Sequence, residues 1–114
     1  IRRDGTTTQF VALDRRAWHA GKSVFCGRDR CNDYAIGIEL EGTDTAPFTP
    51  AQYRQLARIT HQIMQIYPKI AIDRIVGHAD IAPGRKTDPG TGFDWSLYAS
   101  ALSGQDRVPP APVV

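Results

Sequence analysis

From Tyr34 to Glu41 apolar residues alternate with small or charged ones, placing Ile36, Ile38 and Leu40 on one side and Gly37, Glu39 and Glu41 on the other. A period of two predicts a strand, here with two carboxylates on the face opposite the aliphatic row and Gly42 opening a loop beyond them. The period changes after Thr49. Tyr53, Leu56, Ala57, Thr60, Ile63, Met64 and Tyr67 recur at helical spacing, and Thr49, Pro50 and Gln52 supply an N-cap, a first-turn proline and a capping-box glutamine. Pro68 ends that helix.

Shorter signals fill in the rest. Asp4-Gly5 between Ile1-Arg3 and the Thr-rich run Thr6 to Val11 predicts a β-hairpin. Leu13 to Asp33 holds no sustained period and reads as a long loop, of the kind that tends to carry function. Arg74-Ile75-Val76-Gly77 predicts a brief strand ending at His78, followed by a Pro- and Gly-containing loop from Ala79 to Gly92. Asp94 is placed to cap a last helix running through Leu102, and the segment from Ser103, with its three prolines, reads as an extended or disordered tail. No internal repeat is visible. The sum is one α/β domain, residues 1–102, with a Pro-rich tail over residues 103–114.

Composition narrows the class of protein. A chain of 114 residues with 41% hydrophobic content suits one folded domain. A net charge of +2 with scattered basic residues does not mark a nucleic-acid binder. No apolar stretch approaches the roughly 20 residues a membrane span needs. Cys26 and Cys31 match neither a redox C-x-x-C pair nor a usual zinc knuckle, so two reduced thiols are expected, with a short-loop disulfide as the alternative. The chain begins at Ile1 inside a patterned segment, and the natural start is expected upstream.

Chemistry concentrates in Gly77 to Gly90, where His78, Asp80, Lys86 and Asp88 share one loop. Imidazole and carboxylate are both zinc ligands, so His78 and Asp88 are candidates for a metal site; by spacing alone such a pair is more often a hydrogen-bonded loop pair. If a metal is bound, a carboxylate must carry the proton of the attacking water, a role open to Glu39 or Glu41, and a cation must steady the oxyanion, a role open to Lys86. Trp18 offers a flat face for a sugar ring, and Arg30 and Arg85 offer forks for peptide carboxylates.

Trp18-His19-Ala20-Gly21, Cys31-Asn32-Asp33, the run Ile36 to Asp44, Gly77-His78 and Ala82-Pro83 through Arg85 to Gly90 occur together in this order. As a set they resemble the zinc-dependent N-acetylmuramoyl-L-alanine amidases that share a fold with peptidoglycan recognition proteins, and among them the cytoplasmic type acting on 1,6-anhydro muropeptides. The resemblance covers Ile1 to about Leu102. It implies a central mixed β-sheet flanked by α-helices, a Zn2+ cofactor, a muropeptide substrate bearing a stem peptide, and a monomer working in the cytoplasm on recycled cell wall. It makes His78 and Asp88 zinc ligands, Glu39 the proton carrier rather than Glu41, and Lys86 the stabilising cation. Trp18, His19, Arg30 and Arg85 fall in the substrate cleft. The family's first zinc histidine lies in a Val-His-Asn-like motif of an earlier strand, and this sequence holds no such motif; the N-terminal portion of the domain is therefore expected to be incomplete. Two other readings fit the same motifs: a peptidoglycan-binding module that does not cut, and a secreted or phage wall-lytic amidase.

Overall fold

The structure, a computed structural model, describes residues 1–104. Helix α1, Pro50–Ile66, begins where its capping signals place it. The Thr49 hydroxyl accepts from the Gln52 amide and the Gln52 side chain accepts from the Thr49 amide, which satisfies two of the donors a helix start leaves open. Tyr53, Leu56, Ala57, Thr60 and Ile63 form its buried face. Helix α3 is Trp95–Ser103, taking its number after the short helix α2 at His78–Ile81. Asp94 caps α3 by accepting from the Leu97 amide, and the Asp94 amide donates to the Tyr53 hydroxyl of α1.

The core lies between α1 and α3. Phe48, Tyr53, Leu56, Ala57, Phe93, Tyr98 and Leu102 form one buried cluster, with Ile1, Leu40 and Ile75 packed against it. Phe93 sits at its centre, its ring edge-on to Phe48 and Tyr98 with centroids 5.8 Å away. A fully buried side chain of Leu or Phe size contributes roughly 1.5–3 kcal/mol, so this cluster holds the two helices together.

Sheet pairing among the described residues is confined to a two-residue hairpin, β1 Val24–Phe25 with β2 Arg28–Asp29, inside the segment expected to be a plain loop. Its turn residues Cys26 and Gly27 both take positive φ, 51° and 78°, and the Cys at the first position hid that turn from a sequence reading. The expected strand over Tyr34 to Glu41 forms no ladder. It is held instead by Ile1, whose amino group donates to the Glu39 carbonyl (2.6 Å) and whose carbonyl accepts from the Glu41 amide (2.9 Å). Gln52, fully buried, adds donations to the Ile1 and Glu41 carbonyls. A capping residue of α1 thus also fixes the segment that carries Glu39. Leu40 reaches the core but Ile38 stays 38% exposed, because no neighbouring strand covers that face among the described residues.

Two further expectations are corrected. Asp4-Gly5 does make a tight turn, with the Gly5 amide donating to the Arg2 carbonyl, the Arg2 amide to the Thr6 carbonyl and Gly5 at φ 90°, but Thr7 to Val11 runs on exposed, with no strand pairing among the described residues. His78 does not end a strand; it opens α2, since Asp80 accepts from the Gly77 amide and draws the chain into a helical turn. Both cysteines are free thiols, Cys26 exposed and Cys31 buried. The Pro-rich tail falls, beyond Gly104, outside the described residues.

Between the helices one polar pair is buried. Thr60 donates to the Leu56 carbonyl (2.7 Å), which leaves its oxygen to accept from the Tyr98 hydroxyl at 2.6 Å. Burial pushes the Tyr98 phenol up from its ordinary value of 10.0. The folded state favours the neutral ring, so this contribution is full below pH 10 and is lost as pH climbs above it. Thr60→Val keeps the shape but strands the phenol hydroxyl, and is expected to lower stability by about 1–3 kcal/mol in a denaturant titration.

Candidate metal and substrate site

Asp88 follows α2 in the loop that returns towards the core, and the Ala79 amide donates to its carbonyl, folding that loop back over the start of α2. This brings His78 Nδ1 to 3.2 Å from Asp88 Oδ2. The other ring nitrogen, Nε2, lies 2.8 Å from the Ala20 carbonyl oxygen. A carbonyl can only accept, so Nε2 carries a proton. In a neutral ring Nδ1 is then a bare lone pair facing a carboxylate, two acceptors with nothing shared between them. A cation resolves that contact, either a proton on Nδ1 or a metal. Zinc bonds of about 2.0–2.2 Å put neighbouring ligand atoms of a tetrahedral shell roughly 3.3 Å apart, so the observed spacing matches one edge of such a shell.

The pair fits a metal as two of its ligands. Among the described residues no cluster of three or more His, Cys, Asp or Glu side chains completes it. His19 turns its Nε2 to the Ala35 carbonyl (3.2 Å) and lies against Gly37, where a Cβ would strike the ring. His61 sits on the flank of α1 with its Nε2 buried and without a partner among the described residues. Cys31 is engaged with the Tyr34 hydroxyl at 3.3 Å.

Glu39 and Lys86 are both exposed, and neither forms an ion pair among the described residues. Only backbone atoms of each are bonded: the Glu39 carbonyl to Ile1, the Lys86 amide to the Ala82 carbonyl. Glu41 differs, since its Oε1 accepts from the Arg3 amide at 2.9 Å. The two glutamates that the sequence pattern places on one face are thereby separated into a free carboxylate and a structural one. Thr87, next to Asp88, donates to the Asp44 carboxylate, which ties the loop after Gly42 to this loop.

Trp18 is 81% exposed, which leaves its ring open to a ligand. It lines a cleft of about 420 Å³ with Arg16, Gly21, Arg30, Asn32 and Asp33. Arg16 holds Asp33 at 2.8 Å while its guanidinium lies 5.3 Å from the Trp18 ring centre. Arg30 takes a left-handed backbone conformation, φ 55°, at the start of the 3-10 turn Cys31–Asp33. Arg85 points back into the Trp18 loop: Nη2 donates to the Ala20 and Lys22 carbonyls (2.5 and 2.9 Å) and Nε to Lys22 (3.2 Å). Gly21 has positive φ and lies directly under that guanidinium. Arg85 is therefore a clamp between the two loops, with Nη1 left for a ligand. His19 likewise braces the Trp18 loop against the segment carrying Glu39.

Two participants escaped the sequence reading, the Ala20 carbonyl and Asn32. Backbone acceptors leave no trace in side-chain patterns. Asn32 did stand in the Cys31-Asn32-Asp33 motif, without a role.

Residues 1–91 match the family model described as N-acetylmuramoyl-L-alanine amidase, and the chain belongs to that family, whose members are generally zinc-dependent. It is 59% identical over 103 residues to the 1,6-anhydro-N-acetylmuramyl-L-alanine amidase AmpD of Enterobacter cloacae, covering 90% of this chain and 54% of that protein. The fold superposes on the crystal structure of a selenomethionine derivative of AmpD with TM-score 0.85 and 55% identity, over 88% of this chain and 55% of that one. It also superposes on the Escherichia coli amidase AmiD in complex with anhydro-N-acetylmuramic acid-L-Ala-D-γ-Glu-L-Lys, with TM-score 0.76 and 42% identity, over 82% and 39% respectively. The fold is thus the one expected of the family. The chain spans about half the length of the curated relatives it matches.

Proposed function

We propose that this chain carries the reactive residues of an amidase that hydrolyses the bond between 1,6-anhydro-N-acetylmuramic acid and L-alanine in muropeptides, acting as a monomer in the bacterial cytoplasm. The observation that carries this reading is the His78–Asp88 edge, two electron-rich atoms 3.2 Å apart that a cation must join. His78 and Asp88 would hold zinc, which when bound polarises a carbonyl and makes its water acidic enough to attack at neutral pH. Glu39, whose carboxylate has no partner among the described residues, takes the proton and returns it to the departing L-alanine nitrogen. Lys86 supplies positive charge to the oxyanion. Trp18 gives the sugar a face to stack on, and Arg30 with the remaining nitrogen of Arg85 pairs with stem-peptide carboxylates. His19 shapes that cleft from beneath.

Among the described residues only two ligands come together, which favours one competing reading, a module that binds peptidoglycan without cutting it. The two separate in a measurement of zinc content and of peptide released from anhydromuropeptide, for this chain and for a form extended upstream to the length of its relatives. The amidase reading expects zinc and released peptide, strongest in the extended form. An extended form that holds no zinc and releases no peptide overturns it.

A further inference from the structure

The Ala20 carbonyl is the atom that meets the His78 Nε2, and the backbone around it is held from two sides. Arg85 donates to it from one loop. On the other side, Asn32 Oδ1 accepts from the His19 and Ala20 amides, at 2.9 and 2.8 Å. Because both amides can only donate, the Asn32 atom facing them is its oxygen, and both lone pairs are used. Ala20 is 1% exposed, so water does not compete for these bonds. Nothing else in the 3-10 turn reaches that stretch of backbone: Ser23 Oγ, which accepts from the Cys31 amide and donates to Gly21, ties the same loops together without touching residues 19 or 20.

We propose that Asn32 is a positioning residue for His78: by binding the His19 and Ala20 amides it fixes the backbone leading into the Ala20 carbonyl, so that this carbonyl keeps a ring proton on Nε2 and Nδ1 turns to the edge shared with Asp88. This rests on the metal-site reading above for its purpose, but the ring geometry can be read without metal. Partners of this kind on the second nitrogen of a ligating histidine change metal affinity by about 10- to 100-fold when lost.

The test uses Asn32→Ala, Asn32→Asp and Ser23→Ala in the 114-residue chain. In the metal-free protein, nitrogen-15 NMR of the imidazoles is expected to show a protected His78 Nε2–H in the unsubstituted chain. That signal should be lost to water exchange in Asn32→Ala and kept in Asn32→Asp, whose carboxylate accepts from the same two amides. With Zn2+ alone as probe, chelator competition is expected to show affinity weakened about 10-fold in Asn32→Ala and little changed in Asn32→Asp. Ser23→Ala should lower the melting temperature but leave both readouts alone. If Asn32→Ala does not fold, the Asn32→Asp and Ser23→Ala pair decides by the same two readouts. An unprotected Nε2–H in the unsubstituted chain overturns the proposal. So does a Ser23→Ala variant that loses the ring proton, since loop order in general would then be the cause. An unsubstituted chain that shows the protected proton but binds no zinc counts against the metal reading and leaves the ring result to stand for Asn32.

Discussion

Glu39→Gln is expected to lower kcat on anhydromuropeptide by roughly 100- to 10,000-fold, the range a positioned general acid–base contributes. The change is nearly isosteric and removes only the ability to take and return a proton. The structure isolates this effect well. Glu39 is anchored through its backbone carbonyl alone, so its side chain can change without disturbing the segment, and stability should stay within about 0.5 kcal/mol as for other exposed sites. Zinc content should be unchanged, because the carboxylate is not among the proposed ligands. Glu41→Gln is the matched control: its Oε1 accepts from the Arg3 amide, a bond the glutamine oxygen can keep, so turnover should be unchanged. Equal losses of turnover in the two variants would refute the assignment of Glu39.

Lys86→Ala is expected to reduce turnover by about 100- to 1,000-fold, comparable to removal of one donor from an oxyanion site. KM should move little if the ammonium acts on charge that develops only in the transition state. The Lys86 amide keeps its bond to the Ala82 carbonyl whatever the side chain, so the loop that positions Asp88 should survive the substitution. Metal analysis of the variant is the decisive companion measurement. Normal zinc with low turnover supports Lys86 as the oxyanion's cation; loss of zinc would place it in the support of the metal shell instead.

The parts of this fold that were legible in the sequence are those governed by neighbours in the chain. The capping box of α1, its buried stripe from Tyr53 to Ile63 and the Asp94 cap of α3 all follow from side chains acting within three or four residues of themselves. The strand expected over Tyr34 to Glu41 failed as a ladder because alternation describes which faces a segment presents, not what lies beside it. Here its backbone is held by Ile1, by the buried amide of Gln52 and by the His19 ring at Ala35. The hairpin at Val24–Asp29 was missed for a local reason, a cysteine standing where a turn of that kind prefers asparagine or glycine.

Two readings of the His78–Asp88 pair were open in the sequence, and the structure adds the geometry of the contact. Spacing alone allows His78 and Asp88 to be an ordinary hydrogen-bonded pair, in which Nδ1 would carry the proton. With the Ala20 carbonyl, fifty-eight residues away in sequence, taking a proton from Nε2, Nδ1 meets Asp88 either with a second ring proton or through a metal. Arg85 shows the same limit from the other direction: its charge and position suggested a substrate fork, and the fold has turned most of that fork onto two backbone carbonyls. The sequence by itself determined the two long helices α1 and α3 and their caps, because these depend on residue type and short spacing. Only the tertiary structure decided which nitrogen of His78 faces Asp88, which of two glutamates is free and what holds the Trp18 loop in place, because each of those is set by a backbone atom brought in from a distant part of the chain.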